Sequence, residues 1–171
     1  MRRAILLIFA LTVAVSACTT QEREEWRNGP APTCATTSRG RLLLIAQSVP
    51  EATLIPCIGD LPPGWEFSRA HTRTPSSVLA FRNDTFDLNA DVVLSPSCDL
   101  SDARQAESPT PGTQLYVSTD GKTMSFTFDG GCIQFEYQTR QLAESDEGQS
   151  LIEGVPFMTR DTLRELSGWT L

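Results

Sequence analysis

The sequence holds a single histidine, no C-x-x-C pair and no G-x-S-x-G elbow. Each absence removes a class of chemistry. A Ser-His-Asp arrangement would have to use His71, which stands in the polar stretch RAHTRT and reads as a surface or strand-edge histidine. Thiols without short spacing and with one imidazole between them do not make a zinc site. Basic residues are in deficit, 14 Lys+Arg against 21 Asp+Glu, for a net charge of −7. Such a surface cannot neutralise a phosphate backbone, so no nucleic-acid partner is expected. The apolar run at residues 4–15 is too short for the ~20 residues of a spanning helix, and no other segment comes close. Internal repeats are absent too. With 40% hydrophobic and 20% charged residues in 171, the chain is neither an acidic disordered tail nor a multi-span membrane protein, and it has the length of one domain. No catalytic residue, metal ligand or cofactor is assigned.

The amino terminus is informative. Met1-Arg2-Arg3 is basic, residues 4–15 are apolar apart from Thr12, and Ser16, Ala17 and Cys18 follow. A positive start, an apolar stretch and a small-residue cleavage site form a secretion signal. Val15-Ser16-Ala17-Cys18 resembles the lipobox of bacterial lipoproteins. The resemblance covers residues 1–18. It implies cleavage before Cys18, diacylglycerol on its sulfur and acylation of the new amino terminus. Two or more chains, at ~0.8 kcal/mol per buried methylene, hold a protein at a bilayer. As a short lipoprotein with four further cysteines, the chain is similar to lipoproteins of high-GC Gram-positive bacteria.

Removal of Arg2 and Arg3 with the leader leaves 12 basic residues against 21 acidic ones and a net charge of −9. Anionic headgroups repel such a domain, so membrane attachment rests on the lipid alone. The expected layout is a signal peptide over 1–17, lipidated Cys18 and a polar stalk over 18–33, and one globular domain over 34–171. The polar, Pro/Gly-bearing run TTQEREEWRNGPAPT supplies the stalk.

Cys34, Cys57, Cys98 and Cys132 remain. An even number of thiols in an exported chain reads as two disulfides. Three pairings are open. Cys34–Cys57 with Cys98–Cys132 is favoured because each pair closes a compact unit. The others are Cys34–Cys132 with Cys57–Cys98, and Cys34–Cys98 with Cys57–Cys132.

Periodicity fills in the domain. Leu42, Ile45, Ala46 and Val49 recur at helical spacing, which predicts a helix over 39–49 with Ser38 as N-cap and Pro50 as stop. Short apolar runs at 52–58 and 78–81, and the alternation of Trp65 with Phe67, predict strands. Phe86, Leu88, Ala90, Val92 and Leu94 alternate with polar residues and predict a half-buried strand over 86–95. The Pro/Ser/Asp-rich stretch 96–112 reads as a long loop, with a helical turn over 100–107, and 114–118 as a strand. Met124, Phe126 and Phe128 face Ile133, Phe135 and Tyr137 across Asp129-Gly130-Gly131, a hairpin. Paired residue numbers sum to 259 if Asp129-Gly130 is the turn and to 261 if Gly130-Gly131 is. Residues 140–150 read as an exposed acidic loop. Leu163 and Leu166 mark a short final helix capped by Thr159 or Asp161. The sum is an α+β domain: an antiparallel sheet of six to seven strands, an N-terminal helix packed on one face, a short C-terminal helix and two disulfides, with a β-sandwich with a helical flank as the alternative.

Other patterns are weak. Asp87-x-Asn89-x-Asp91 has the spacing of a calcium loop, but Val92 replaces the required Gly and Cys98 the required Glu. Strand alternation explains it. Glu144, Asp146 and Glu147 read as solvated charge. Asn83-Asp84-Thr85 fits the N-glycosylation pattern by coincidence, and Trp65 and Trp169 read as core. The expectation is therefore a lipid-anchored extracytoplasmic binding or structural module of the bacterial envelope, on the outer side of the cell membrane and not an enzyme. Its partner would be an envelope protein, a wall polymer or a small ligand. The alternatives are an envelope hydrolase that relies on carboxylates, and an inhibitor that presents the 96–112 loop to a secreted enzyme.

Overall fold

A computed structural model describes residues 24–27, as backbone, and 30–167. The leader, the lipobox and Trp169 lie outside the described residues. The apolar helical stripe is realised in α1 (Arg39–Ser48), whose Leu42, Ile45 and Ala46 are buried, as is Val49 just beyond it. Ser38 holds the N-cap position without capping. Its hydroxyl donates to the Ala31 carbonyl instead, at 3.1 Å. At the other end of α1 the Arg160 guanidinium donates to the carbonyls of Ala46, Val49 and Ala52, at 2.8, 3.0 and 2.9 Å. It thereby satisfies acceptors that a helix end leaves open.

Period-two patterning builds the sheet. In chain order the strands are β1 (Glu24–Arg27), β2 (Leu54–Pro56), β3 (Trp65–Arg73), β4 (Ser76–Asn83) and β5 (Leu88–Ser95), then β6 (Ala103–Ala106), β7 (Gln114–Ser118), β8 (Thr123–Phe128), β9 (Gly131–Tyr137) and β10 (Phe157–Thr159). Seven form an antiparallel sheet in the order β3-β4-β5-β9-β8-β7-β6, and β1 extends it at the β3 edge. Two meanders are thus joined side by side through β5 and β9. β1 falls inside the segment read from composition as the stalk. β2 and β10 form a separate two-stranded ribbon.

The hairpin takes the register in which residue numbers sum to 259, with Met124 opposite Phe135 and Phe126 opposite Ile133. Asp129-Gly130 is therefore the turn. Gly130 has φ +75°, and a Cβ there would lie 1.8 Å from the Glu51 carbonyl oxygen. Glycine serves both the left-handed turn and the close passage of the chain beneath it.

One face of the sheet carries the core. Leu79, Phe81, Val92, Leu94, Phe126, Ile133 and Phe135 are fully buried there. α1, the β2–β10 ribbon and the C-terminal helices α2 (Arg140–Glu144), α3 (Asp146–Gly154) and α4 (Arg160–Ser167) cover it. Phe157 of β10 stacks edge-on against Phe126, with ring centroids 5.3 Å apart. Two aromatic handles fasten α3: the Trp65 indole donates to the Glu147 carbonyl at 2.8 Å, and the Tyr137 hydroxyl to the Gly148 carbonyl at 2.6 Å. Trp65 is core, as its pattern implied.

Both favoured disulfides form. Cys34–Cys57 ties the entering chain to the residue after β2, and Cys98–Cys132 pins the β5–β6 crossover to β9.

Four local expectations change. Phe86 lies in the turn before β5 and is 45% exposed, because the strand starts only at Leu88. Asp87, at φ +50°, breaks the alternation between them. The 96–112 stretch is not one loop, since residues 103–106 form an edge strand paired with β7. No helical turn forms over 100–107. Residues 140–150 are mostly helical: Thr139 caps α2 and Ser145 caps α3, each accepting from a backbone amide three residues on. The final helix is as expected, with the Thr159 hydroxyl accepting from the Thr162 amide at 3.1 Å.

Candidate functional site

Antiparallel sheets commonly hide one face and leave the other to solvent. Here the outward positions of the central strands form cross-strand rows. One row runs Arg69, Ala80, Asp91, Glu136, Thr123, from β3 through β4, β5 and β9 to β8. The next runs His71, Val78, Val93, Gln134, Ser125, Tyr116. Gln134 donates to Ser125 Oγ at 3.1 Å within it.

The first row is electrostatically unusual. Asp91 and Glu136 occupy directly opposed positions on neighbouring strands, and like charges so placed destabilise a sheet. The surrounding protein strips water from both carboxyls and raises both above the usual carboxylate range. The Arg69 guanidinium partly offsets this at Asp91. At Glu136 the Asp91 charge adds to the rise. Arg69 is two strands from Asp91, so their Cα atoms are roughly 9.5 Å apart. Among the described residues Arg69 forms no ion pair. Ala80, the small residue between them, is the floor of a depression of about 440 Å³ whose walls include Ser68, Arg69, Asp91, Glu136 and Gln138.

A backbone irregularity delivers Arg69 to this face. Phe67 pairs with Phe81, but Arg69 pairs with Ala80, so Ser68 is an extra residue in β3. Plain alternation from Phe67 would point Arg69 into the core. The bulge turns it outward and returns Ala70, fully buried, to the inner face.

The residues singled out from sequence fall as follows. His71 lies in the second row, partly exposed and opposite Val78. Of the Asp87-x-Asn89-x-Asp91 pattern, Asp87 pairs with Arg82 at 2.8 Å in the turn, while Asn89 and Asp91 share the open face. The three do not converge. Glu144 pairs with Arg140 at 2.8 Å, and Asp146 and Glu147 sit in the first turn of α3, where carboxylates complement the helix dipole. The pairing of Asp91 with Glu136, and the role of Arg69, were missed. Both depend on strand neighbours distant in sequence. Only the failed alternation around Ser68 was visible. Among the described residues no three His, Cys, Asp or Glu side chains are grouped to hold a metal ion, and no helix is long and apolar enough to cross a membrane.

A second cavity, of about 450 Å³, opens on the helical side between the 107–110 turn and α3. It is lined by Leu115, Met124, Phe126 and Ile152. Gln149 also lines it and donates to the Ala143 carbonyl at 2.6 Å.

Compared with known families, characterised proteins and solved structures, the chain matches none. The two disulfides nonetheless fit a protein of an oxidising, extracytoplasmic environment.

Proposed function

We propose that this chain is a lipid-anchored binding module of the bacterial envelope, held on the outer side of the cell membrane through acylated Cys18, and that it meets its partner with the open sheet face. The observation that carries this reading is the opposed Asp91–Glu136 pair on that face. A purely structural sheet gains nothing from two desolvated carboxyls side by side, whereas a binding surface gains a charge to offer. The lipobox and the leader support the anchor, and the disulfides support the compartment. The module is not an enzyme on this reading. The four domain cysteines are paired in disulfides, so none is offered as a nucleophile.

The hydrolase alternative draws on the same two acids, because raised carboxyls in a depression suit general acid work. They stand together on one wall of the depression, however, and the wall opposite carries Arg69 and no second acid to flank a bond. The inhibitor alternative draws on 96–112, a segment now tied down by Cys98–Cys132 and by β6.

Mass spectrometry of protein from native membranes tests the anchor. The expected species begins at Cys18 and carries acyl chains. An unmodified Cys18, or a retained leader, overturns the proposal.

A further inference from the structure

The depression over Ala80 offers charge of both signs in a fixed order. Arg69 stands on one wall, and Asp91 with Glu136 on the other. The two signs are not joined to each other. Asp91 and Glu136 have no ion-pair partner among the described residues, and neither does Arg69. The residue between them is Ala80, whose methyl leaves the gap unfilled where any longer side chain would close it. The Ser68 bulge is what sets Arg69 on this side of the sheet at all. Asn89 and Gln138 supply neutral polar groups at the β5–β9 end of the hollow.

We propose that this depression binds a small zwitterion, a free amino acid, with its ammonium group between the Asp91 and Glu136 carboxylates and its carboxylate on Arg69. This deepens the binding reading above and rests on it for the open face alone. An ammonium has three donors and one positive charge, and two carboxylates across a strand pair can accept from it together. It also relieves the repulsion that the opposed acids suffer without it. The planar guanidinium of Arg69 suits a carboxylate through two parallel N–H···O bonds. An amine alone meets only half of this arrangement, and a carboxylate alone meets repulsion from the acids. The site should therefore prefer a ligand bearing both charges.

The test is a titration of the full lipoprotein in neutral detergent micelles, followed by backbone amide shifts of β3, β5 and β9. The probes are 4-aminobutyrate, 6-aminohexanoate, n-propylamine and butyrate. The expected result is binding of at least one amino acid probe at millimolar concentration, at least fivefold tighter than propylamine, with butyrate inert. Arg69→Met should erase the advantage of the amino acids over propylamine. Asp91→Asn with Glu136→Gln should abolish both. Equal binding of amine and amino acid by the wild type overturns the proposal, and so does an absence of shifts at those strands. These wild-type comparisons stand whether or not a variant folds. A failed titration beside an acylated Cys18 leaves the anchored module intact. An unmodified Cys18 beside a successful titration overturns the anchor and leaves the zwitterion site.

Discussion

Asp91 on β5 and Glu136 on β9 face each other across the seam between the two meanders, on the side of the sheet that no helix among the described residues covers. Asp91 and Glu136 are 45 positions apart in the chain, so the opposed charges are a product of topology and not of local sequence. That placement makes the stability of the domain depend on pH and gives its open face a concentrated negative charge.

Stability is the first consequence. Both carboxyls are raised in the folded state, so each favours folding when protonated. Their contribution is fully present below the unfolded carboxyl pKa of about 4 and is lost as pH rises through the raised folded values. Asp91→Asn with Glu136→Gln should stabilise the domain at pH 7 by roughly 1 kcal/mol. The advantage should vanish below about pH 4, as measured by urea unfolding of both proteins across that range.

The disulfides should matter unequally to structure but similarly to energy. Their loops span 23 and 34 residues, for which chain entropy assigns roughly 3–4 kcal/mol each. Replacing Cys98 and Cys132 by Ser should lower the denaturation midpoint and loosen the β5–β6 crossover. Hydrogen exchange should quicken over residues 96–106 before it does in α1.

Tyr137 is buried, and desolvation pushes its hydroxyl well above the ordinary phenol range, so it remains a donor to the Gly148 carbonyl at every working pH. Tyr137→Phe should cost roughly 1–2 kcal/mol by leaving that carbonyl without its partner. Thermal unfolding should detect the loss, and the near-ultraviolet signal of Trp65, which holds the preceding carbonyl, should change with it.

Arg160 joins α4 to the end of α1 by three hydrogen bonds to carbonyls. Arg160→Met keeps much of the apolar stem and removes the donors. It should destabilise the domain by about 2–4 kcal/mol, read from denaturant unfolding.

Gly130→Ala would place a methyl on the Glu51 carbonyl and force a left-handed residue to carry a side chain. Folded yield should fall sharply, whereas Gly112→Ala, which meets nothing within 4 Å, should lose only about 1 kcal/mol to its φ of +77°. Circular dichroism of the two purified variants separates these outcomes.

Much of the architecture was legible in the sequence because its causes are local. The α1 stripe needs only Leu42, Ile45, Ala46 and Val49 at helical spacing, and the β8–β9 hairpin needs only Asp129-Gly130 between two alternating runs. Boundaries failed where a turn competed with alternation, as at Phe86 and Asp87. Helices α2 and α3 were hidden because their stability comes from Thr139, Ser145 and the Trp65 and Tyr137 contacts, while their composition is that of an acidic loop. The site was least legible. Nothing near Asp91 names Glu136 as its neighbour, and Arg69 reaches the open face only through the extra residue Ser68.

The central claim, an anchored module that binds through its bare sheet face, is tested most directly by hydrogen exchange of the full lipoprotein in neutral detergent micelles, with and without an excess of 4-aminobutyrate or 6-aminohexanoate. Slowed exchange over β3, β5 and β9 with at least one of the two, and none over α3, is the expected result. Slowing spread equally over the strands and α3, or no slowing at those strands with either, would contradict it.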